Sequence, residues 1–416
     1  MEKYTTYKPS GIKWIGEIPE HWDVHKIRYL FQEKSQKGYP NEPILSATQK
    51  YGVIPQDLYE NRVVVVNKGL EGLKLVEEGD FVISLRSFQG GIEYAYYRGI
   101  ISAAYTILKP SINLNSDYIK YVFKSHTFIE LLKTCVTGIR EGQNINYELL
   151  RNKYLFIPPL SEQHTIVAFL EKATANIDAY IKQTEQEINT LNELKQAEIA
   201  QVVTKGLNPN APMKDSGISW IGEIPEHWET NRNKVFLTEK KETVGGNANN
   251  FTLLSLTKIG IIPRDIESGK GKFPKDFDTY KIVNKGDIVF CLFDIDETPR
   301  TVGLSNLDGM ITGAYDVFGI SNINPKFFYY LFITIDDKKG LKPLYTGLRK
   351  VVKINTFLTS RSPVPPIEEQ QQIVDYIESK TSKIEEYIAA LKSEIAQMQE
   401  YKQRLISDVV TGKMKV

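Results

Sequence analysis

The sequence lacks the features of an exported, a disulfide-bonded or a membrane-spanning protein. Its 416 residues include only two cysteines, Cys135 and Cys291, too few for a disulfide framework or a cysteine-based zinc site. No run of about eighteen apolar residues occurs, so no membrane-spanning helix is expected. The opening residues, MEKYTTYKPSGIK, contain no apolar core of a signal peptide. We therefore expect a cytoplasmic protein in a reducing compartment.

Motifs of the common catalytic and cofactor-binding sites are also absent. The sequence has neither a GxxxxGK[ST] phosphate loop nor a GxGxxG loop after a strand, which argues against nucleotide hydrolysis. Its five histidines form no cluster with cysteine at the spacing of metal ligands. The two Pro-Pro pairs follow Ile157 and Val364, whereas the catalytic loop of an adenine methyltransferase has Asn or Asp before two prolines. We predict that the chain holds no metal or cofactor and catalyses no reaction alone.

The overall composition is that of an ordinary globular protein. Hydrophobic residues make up 41% and charged residues 25% of the chain, and its length allows two or three domains. Lysine and arginine number 52 against 51 aspartates and glutamates, which gives a net charge of +1. This balance neither requires nor excludes a nucleic acid partner, so the distribution of charge along the chain has to decide that question.

One unusual string occurs twice. WIGEIPEHW runs from Trp14 to Trp22 and again from Trp220 to Trp228, and these two copies contain all four tryptophans. The correspondence continues downstream at offsets of about 206 to 210 residues. It pairs segments 74–80 with 281–287, 137–140 with 346–349, 157–163 with 364–370, and 202–204 with 409–411. The chain is therefore two copies of one unit of about two hundred residues, each long enough to be a domain.

Each copy divides into a mixed part and a helical part. Short β-rich runs punctuated by glycine alternate with helical stretches around residues 116–132 and 325–335, which predicts an α+β or mixed fold. After each Pro-Pro pair, more than about forty residues run without proline or glycine up to Gly206 and Gly412, which predicts one long helix per copy. The predicted succession of mixed part, helix, linker, mixed part and helix covers residues 1–159, 160–205, 206–216, 217–366 and 367–416.

The two long helices carry heptad patterns. Apolar residues alternate in steps of three and four, as in the a/d seam of a coiled coil, although less regularly in the first helix. The predicted seam consists of Ile177, Ile181, Ile188, Leu191, Val202, Ile384, Ile388, Leu391, Ile395, Met398, Leu405 and Val409. Lys195 and Lys402 fall at the same a position, where a polar residue fixes the register. We favour pairing of the two helices with each other, and the alternative is two amphipathic helices that each pack on their own domain.

Basic and polar loops supply the candidate binding residues. Residues 338–361 contain seven lysines and arginines and no acid, whereas the equivalent residues 129–152 contain three basic and three acidic residues. From these segments we predict DNA contacts by Arg140, Gln143, Asn144, Thr346, Arg349, Lys350 and Lys353. The loop after each Gly-Asp strand adds Arg86, Ser87, Gln89 and Arg300, although Arg86 could instead pair with a carboxylate inside its domain. The acidic stretch 294–297 is interpreted as a solvated loop, because the aligned residues 86–89 lack its acids.

Equivalent loops of the two copies thus carry different side chains. This difference is expected if each copy reads a different short DNA sequence, since Arg, Gln and Asn bond bidentately to base edges. Neutral drift after duplication would produce the same difference.

The repeated motifs have a fixed order. The WIGEIPEHW opening, the Gly-Asp strand, the Thr-Gly-x-Arg loop, the Pro-Pro-x-x-Glu-Gln boundary and the long helix follow one another twice. This arrangement resembles the specificity subunit of a Type I restriction–modification enzyme over essentially the whole chain. The resemblance implies two target recognition domains, residues 1–159 and 217–366, that read the two halves of a split double-stranded DNA site. It also implies that the two helices pair as an antiparallel coiled-coil spacer.

The resemblance further implies a division of labour between subunits. Two modification subunits would bind S-adenosylmethionine and methylate adenine, and restriction subunits would use ATP and Mg²⁺ for translocation and cleavage. This chain would supply the recognition of the DNA sequence, with no cofactor of its own and no membrane contact. The rival interpretation is a tandem scaffold or adaptor that binds protein or RNA through two similar domains on a coiled coil.

Under the specificity-subunit interpretation the duplicated string is framework, because identical strings cannot read two different half-sites. A partner-binding surface on the string is the alternative. The helix pair would set the distance between half-sites, whose centres should lie about 10 base pairs apart for readout on one face of the duplex. With half-sites of about three to five pairs, the unread gap should be about 5–8 base pairs.

Overall fold

The computed structural model describes residues 2–12, 16–59, 69–85, 87–111, 114–137, 144–264, 276–345 and 350–416. The chain forms two compact units. Unit 1 consists of Met1–Glu185 and Lys392–Val416, and unit 2 consists of Gln186–Leu391. Each unit therefore combines the mixed part of one copy with segments of both long helices. The division leaves each expected mixed part whole and divides both long helices, because helix segments of both copies complete each core.

Unit 1 contains short strands and short helices before its first long helix. Its strands, β1 to β14, are Tyr7–Pro9, Glu17–Pro19, Asp23–Lys26, Phe31–Lys34, Leu45–Thr48, Gly52–Pro55, Lys74–Val76, Phe81–Ile83, Glu93–Tyr94, Gly99–Ile101, Thr106–Pro110, Val136–Thr137, Asn144–Ile145 and Tyr154–Ile157. Its short α-helices, α1 to α5, are Ile27–Leu30, Ser87–Gly90, Ser116–Lys124, His126–Lys133 and Tyr147–Leu150. Single 3₁₀ turns occupy Gln56–Leu58 and Leu70–Gly72.

The long helix α6 covers Leu160–Lys205 and leads into unit 2. Strands β15 to β26 of unit 2 are Met213–Asp215, Glu223–Pro225, Glu229–Arg232, Leu237–Lys240, Leu254–Thr257, Gly260–Pro263, Lys281–Val283, Ile288–Phe290, Val302–Leu304, Gly309–Ile311, Asp316–Ile320 and Arg361–Val364. Its short α-helices are α7, Pro325–Asp337, and α8, Ile354–Thr359, and the second long helix, α9, covers Ile367–Val410. The 3₁₀ segments are Asn233–Val235, Gly245–Asn250 and Lys342–Leu344.

A four-stranded antiparallel sheet forms the centre of each unit. The strand order is β4-β11-β8-β9 in unit 1 and β18-β25-β22-β23 in unit 2. Both faces of the sheets are covered, because successive side chains of a strand point to opposite sides. In β8, Phe81 and Ile83 pack into the larger core cluster, and Val82 packs into a separate smaller one. In β22, Ile288 and Phe290 pack in the same alternating way around Val289.

The Gly-Asp motif closes the turn before the central strand. Gly79 has a φ of +86°, a left-handed conformation that favours glycine. The buried carboxylate of Asp80 accepts the Glu77 backbone N–H at 2.8 Å and the Lys34 ammonium at 2.9 Å. Unit 2 repeats the arrangement with Asp287, which accepts from the Lys240 ammonium at 2.9 Å. The motif is therefore a structural ion pair between neighbouring parts of the sheet region.

The helical stretch expected around residues 116–132 is two helices, α3 and α4. Ser125 has an extended backbone, φ −67° and ψ 144°, which ends α3. The Ser125 side chain accepts a hydrogen bond from the Phe128 N–H and so caps α4. The sequence indicated this helical stretch but not its division, because periodicity alone does not reveal a capped break. The stretch around residues 325–335 is one helix, α7, with Asn324 as its N-cap.

The long helices α6 and α9 contain 46 and 44 residues. In unit 1, Ile166 and Leu170 of α6 share one core with Leu405 and Val409 of α9 and with Trp22. In unit 2, the C-terminal part of α6 and the N-terminal part of α9 share a core with Trp228 in the same way. Both helices thus contribute apolar side chains to the core of each unit. Of the helices described, none is both long enough and apolar enough to cross a membrane.

Candidate nucleic-acid interface

The last tryptophan of each repeated string lies in the core of its unit, and the histidine before it contacts the start of a long helix. Trp22 is fully buried, and its Nε1 donates to Glu162 Oε1 at 3.1 Å. The exposed His21 side chain bonds the other oxygen of Glu162 at 2.7 Å. In unit 2, His227 bonds Glu369 at 2.8 Å. These contacts agree with the framework role expected for the string.

The Glu-Gln pair of the repeated boundary motif makes structural contacts at the start of each long helix. Gln163 accepts the Asn115 N–H at 2.9 Å and donates to the Pro158 carbonyl at 2.9 Å. Gln370 makes the equivalent bonds to Asn324 and Pro365. The same polar pair thus makes the same glutamine contacts in both copies.

The loop after the Gly-Asp strand of copy one places its predicted residues differently. Arg86 lies outside the described residues. Ser87 is fully buried, and its hydroxyl accepts the Ser84 N–H at 2.8 Å. The expectation that Ser87 faces DNA is therefore corrected, because its side chain is used inside the turn. Gln89 is exposed on α2.

Gln89 lines a cleft of about 900 Å³ in unit 1. Tyrosines and lysines form much of its wall, and the Lys120 ammonium lies 5.4 Å from the ring centre of Tyr94 and 5.8 Å from that of Tyr96. Deeper in the wall, Lys124 bonds Glu93 at 2.7 Å. Burial raises the pKa of Glu93 to about 7, and the Lys124 charge opposes this shift. The cleft is thus basic and aromatic, but its lysines already have internal partners.

The Thr-Gly-x-Arg loop of copy one is described only at its edges. Arg140 and Gln143 lie outside the described residues. Asn144 is exposed, and its backbone pairs with Thr137 in the β12–β13 ladder. This short ladder holds the two ends of the loop together, so Asn144 remains available as a polar contact at the loop's base.

In unit 2, Thr346 and Arg349 lie outside the described part of the chain, whereas Tyr345 and Lys350 on either side lie within it. The Tyr345 hydroxyl donates to Asp296 Oδ1 at 3.0 Å, and Lys350 Nζ donates to Asp296 Oδ2 at 3.1 Å. Lys350 also binds Glu297 at 2.5 Å. The two carboxylates raise the pKa of Lys350, and Lys350 in turn is the main cause that lowers the pKa of Asp296.

This network corrects the interpretation of residues 294–297 as a merely solvated loop. The Asp296 side chain is only 22% exposed, because tyrosine and lysine side chains cover it. The backbone is also fixed: the Asp294 N–H donates to the Lys350 carbonyl at 2.8 Å, and the Val352 N–H donates to the Leu292 carbonyl at 2.7 Å. Sequence reasoning missed this contact because some fifty positions separate Asp296 from Lys350.

Lys353 and Arg300 have opposite environments. Lys353 is exposed, and its side chain forms no ion pair with any described residue. Arg300 binds Asp336 at 3.1 Å and Asp337 at 2.9 Å, with only 14% of its side chain exposed. The expectation that Arg300 faces DNA is corrected, because two carboxylates at the end of α7 hold its guanidinium inside unit 2.

No group of three or more His, Cys, Asp or Glu side chains suited to a metal ion occurs in the described ranges. Cys135 and Cys291 are free and buried. The chemistry offered by the candidate surfaces is therefore hydrogen bonding and charge: amides at Gln89 and Asn144, ammonium groups at Lys350 and Lys353, and carboxylates at Asp296 and Glu297.

Comparisons with known proteins agree with the resemblance to a specificity subunit. Residues 15–190 match the family model of the Type I restriction modification DNA specificity domain. The specificity subunit of the Type I restriction enzyme MjaVIII from Methanocaldococcus jannaschii is 24% identical, over 99% of this chain and 97% of that protein. The putative MjaX specificity subunit of the same organism is 21% identical, over 99% and 98%.

Solved structures share the fold. A chain from a study of complex assembly and conformational transition of the type I R-M system has a TM-score of 0.65 at 14% identity, over 95% of this chain and 99% of that one. The HsdS subunit from Thermoanaerobacter tengcongensis has a TM-score of 0.50 at 15% identity, over 95% and 98%. The resemblance seen in the sequence motifs is confirmed: residues 15–190 match the specificity-domain family, and nearly the whole chain is similar to specificity subunits of Type I restriction enzymes.

Proposed function

We propose that this chain recognises a split double-stranded DNA target, with one half read by the mixed part of each unit. The observation that carries the proposal is the contrast between constant and variable positions. The histidine of the string, the Gly-Asp pair and the Glu-Gln pair make corresponding contacts in both units. At equivalent exposed positions, by contrast, unit 1 offers Gln89 and Asn144, and unit 2 offers Glu297, Lys350 and Lys353. Two similar scaffolds with different polar edges suit two different base sequences.

The proposed DNA contacts are fewer than the sequence suggested. In copy one they are Arg86, Gln89, Arg140, Gln143 and Asn144, and in copy two Thr346, Arg349, Lys350 and Lys353. Ser87 and Arg300 are left out because both are engaged inside their units. Lysine and arginine at these positions would neutralise phosphates, and the amides would bond to base edges.

The two long helices are proposed to pair antiparallel as a coiled coil that relates the two copies by an approximate two-fold axis. Equivalent ion pairs support this. In unit 1, Lys402 binds Asp178 at 2.6 Å, and in unit 2, Lys195 binds Glu385 at 3.1 Å. The two pairs correspond under the repeat offset of 207 residues. Lys195 corresponds to Lys402, since 402 − 195 = 207, and Asp178 corresponds to Glu385, since 385 − 178 = 207.

A second set of contacts has the same symmetry. The Tyr180 hydroxyl binds Glu394 in unit 1, and the Tyr387 hydroxyl binds Glu187 at 2.8 Å in unit 2. Again the displacement is 387 − 180 = 207 and 394 − 187 = 207. In each unit the partner numbers fall along α9 as they rise along α6, which is the pattern of antiparallel helices.

The proposed partners supply the chemistry. Two modification subunits would bring S-adenosylmethionine and methylate adenine in the recognised target, and restriction subunits would bring ATP and Mg²⁺ for translocation and cleavage. This chain would hold no cofactor and would act by positioning its partners on DNA.

The deciding experiment is single-molecule detection of methylated adenines in the host genome with and without this gene. We expect a methylated motif of two short half-sites with an unread gap of about 5–8 base pairs, which disappears on deletion. An unchanged methylation pattern would overturn the proposal and favour the adaptor interpretation. That alternative would be supported by co-purification of the intact chain with RNA or with proteins unrelated to methylation.

A further inference from the structure

Glu297 occupies an unusual position for an acid beside a proposed DNA contact. Its carboxylate is 69% exposed, and the ammonium of Lys350 at 2.5 Å is its one side-chain partner among the described residues. Carboxylates near phosphate raise the free energy of any complex through like-charge repulsion, so an acid at such a surface requires a compensating interaction.

The position of this acid is defined on both sides. Asp296 binds Lys350 and the Tyr345 hydroxyl, and its own N–H donates to that hydroxyl at 3.2 Å. The Glu297 N–H donates to the Asp294 carbonyl at 3.0 Å, and the Asp294 N–H binds the Lys350 carbonyl. Backbone and side-chain hydrogen bonds therefore hold the 294–297 turn to Lys350. They fix the position of Glu297 beside that lysine.

Unit 1 lacks this acid. The stretch aligned with 294–297 is Arg-Ser-Phe-Gln, residues 86–89, so the position of Glu297 is taken by Gln89, which is also exposed. In this alignment an exposed acid of copy two corresponds to an exposed amide of copy one, within a loop that is three residues longer in copy two. The two side chains have nearly the same shape but different hydrogen-bonding capacity, because an ionised carboxylate only accepts, whereas an amide both donates and accepts.

We propose that Glu297 is a specificity-determining residue that accepts a hydrogen bond from an exocyclic amino group, that of cytosine N4, in the major groove of the second half-site. Among base edges, the cytosine amino group is the donor that Glu and Asp side chains recognise. Lys350 neutralises the carboxylate in the free protein and, on DNA, turns to a phosphate. The inference rests on the proposed function and assigns one reading contact within it.

The physical consequence is discrimination rather than affinity. A matched cytosine compensates the carboxylate after Lys350 leaves it, whereas a guanine or thymine acceptor at the same place would face the carboxylate without a donor. Unsatisfied or repelled groups of this kind cost about 1–3 kcal/mol per base pair, which corresponds to about 5- to 150-fold in preference.

The test uses the full chain in complex with its modification subunits and a DNA library randomised in the second half-site, read out by adenine methylation. We expect Glu297→Gln to reduce the preference for cytosine at one position about tenfold or more. A gain for adenine should accompany this loss, since Gln bonds bidentately to adenine. Glu297→Asp, which keeps the charge on a shorter side chain, should retain the cytosine preference in weakened form.

The matched control is Glu378→Gln. Glu378 forms an exposed pair with Lys326 at the same 2.5 Å distance, on long helix α9 rather than beside the proposed interface. This variant should leave the preference at every position unchanged. Lys350→Ala should flatten the salt dependence of binding by a slope of about 0.9 without changing which base is preferred.

The outcomes separate the inference from the proposed function. A folded Glu297→Gln complex with an unchanged preference, or with a change in the first half-site only, would overturn the reading contact while the split-site function stands. A wild-type complex that methylates without sequence preference would overturn the proposed function, and the inference with it. Equal melting temperatures of wild type and variant would show that a loss of preference is not a loss of fold.

Discussion

Glu93 and its neighbour Lys124 show how strongly one buried carboxyl group can couple folding to pH. Only 1% of Glu93 is exposed, and burial raises its pKa to about 7 from an ordinary value of 4.5. Because the folded pKa is raised, the folded state binds the proton more tightly than the unfolded state. The resulting stabilisation is complete below about pH 4.5 and is lost as the pH rises through about 7.

We therefore expect the free energy of unfolding of unit 1 to fall by about 2–3 kcal/mol between pH 4.5 and 7.5 through this group. Glu93→Gln, which stays neutral, should show a smaller fall over the same range. Hydrogen exchange of the β8–β9 amides at several pH values measures this difference. Glu130→Gln, at an exposed acid of the same unit, is the control and should keep the wild-type dependence. A Glu93→Gln protein with the wild-type pH slope would contradict the prediction.

The lysine–aspartate pair of the Gly-Asp motif gives a second prediction at this scale. Lys34 is 9% exposed and Asp80 3%, whereas the equivalent Lys240 is 33% exposed and Asp287 6%. Removing one partner of a buried ion pair costs about 3–5 kcal/mol, because the other charge stays buried without compensation. Lys34→Met should therefore destabilise unit 1 by several kcal/mol, and Lys240→Met should destabilise unit 2 less, because water reaches that site.

Unit-specific hydrogen exchange on the two variants would measure both losses. Equal losses in the two units, or a loss at Lys34 no larger than for the exposed Lys133→Met, would show that burial does not set the energy of this pair.

Individual residues were the least predictable part of the candidate site. The basic composition of residues 338–361 was visible in the sequence, but the acids that bind Lys350 in this segment, and Arg300 outside it, are distant from them in the sequence. Asp336 lies 36 positions from Arg300, and Asp296 lies 54 positions from Lys350. Asp294 also has a φ of +44°, and a stretch without glycine does not predict a left-handed turn at that position. Side-chain partners brought together by tertiary structure therefore decide which cations remain open to DNA.

The elements were more predictable than their residues. Helix α6 starts after Pro159 and ends before Gly206, as the prolines and glycines of the sequence predicted, because proline limits a helix at its start and glycine at its end. The break between α3 and α4 escaped prediction, because a serine inside an amphipathic pattern can be either a surface position or a cap.

The equivalent helix ion pairs make an element-scale prediction. Lys402→Glu places a like charge beside Asp178 and should lower the stability of unit 1 by about 1 kcal/mol, since exposed pairs are worth about 0.2–1 kcal/mol. Adding Asp178→Lys restores opposite charges and should recover most of the loss. A double-mutant cycle by thermal unfolding measures the coupling, with Lys172→Glu, an unpaired exposed position on α6, as control. The absence of recovery in the exchanged pair would argue against the contact.

At the scale of the whole molecule, helix length should control the gap in the DNA target. Inserting four residues between Thr190 and Leu191, and four more between Tyr387 and Ile388, lengthens both helices by about 6 Å. The second insertion lies opposite the first, because the Tyr387 hydroxyl binds Glu187, three residues before Thr190. Contacting residues of the two helices therefore stay aligned. We expect the preferred gap to grow by one or two base pairs, at about 3.4 Å each.

Methylation of a library in which only the gap length varies would measure the change. The control carries Ala substitutions of Thr190 and Tyr387 without insertion and should keep the original gap. A folded and active insertion variant with an unchanged gap would show that the helices do not act as a ruler.

The interleaved make-up of the units also governs how the chain emerges from the ribosome. Unit 1 needs Leu405 and Val409 for its core, and Gly412 packs against Pro19 and Trp22, so its first 185 residues stay incomplete until the end of α9 has been made. The intervening 391 − 185 = 206 residues form unit 2, which is continuous and can finish first. At about 5–20 residues per second, the earliest-made part waits roughly 10–40 seconds with open apolar surface. Unit 2 can therefore fold before unit 1, although most of unit 1 is synthesised first. We expect chaperones to bind nascent unit 1 during that delay.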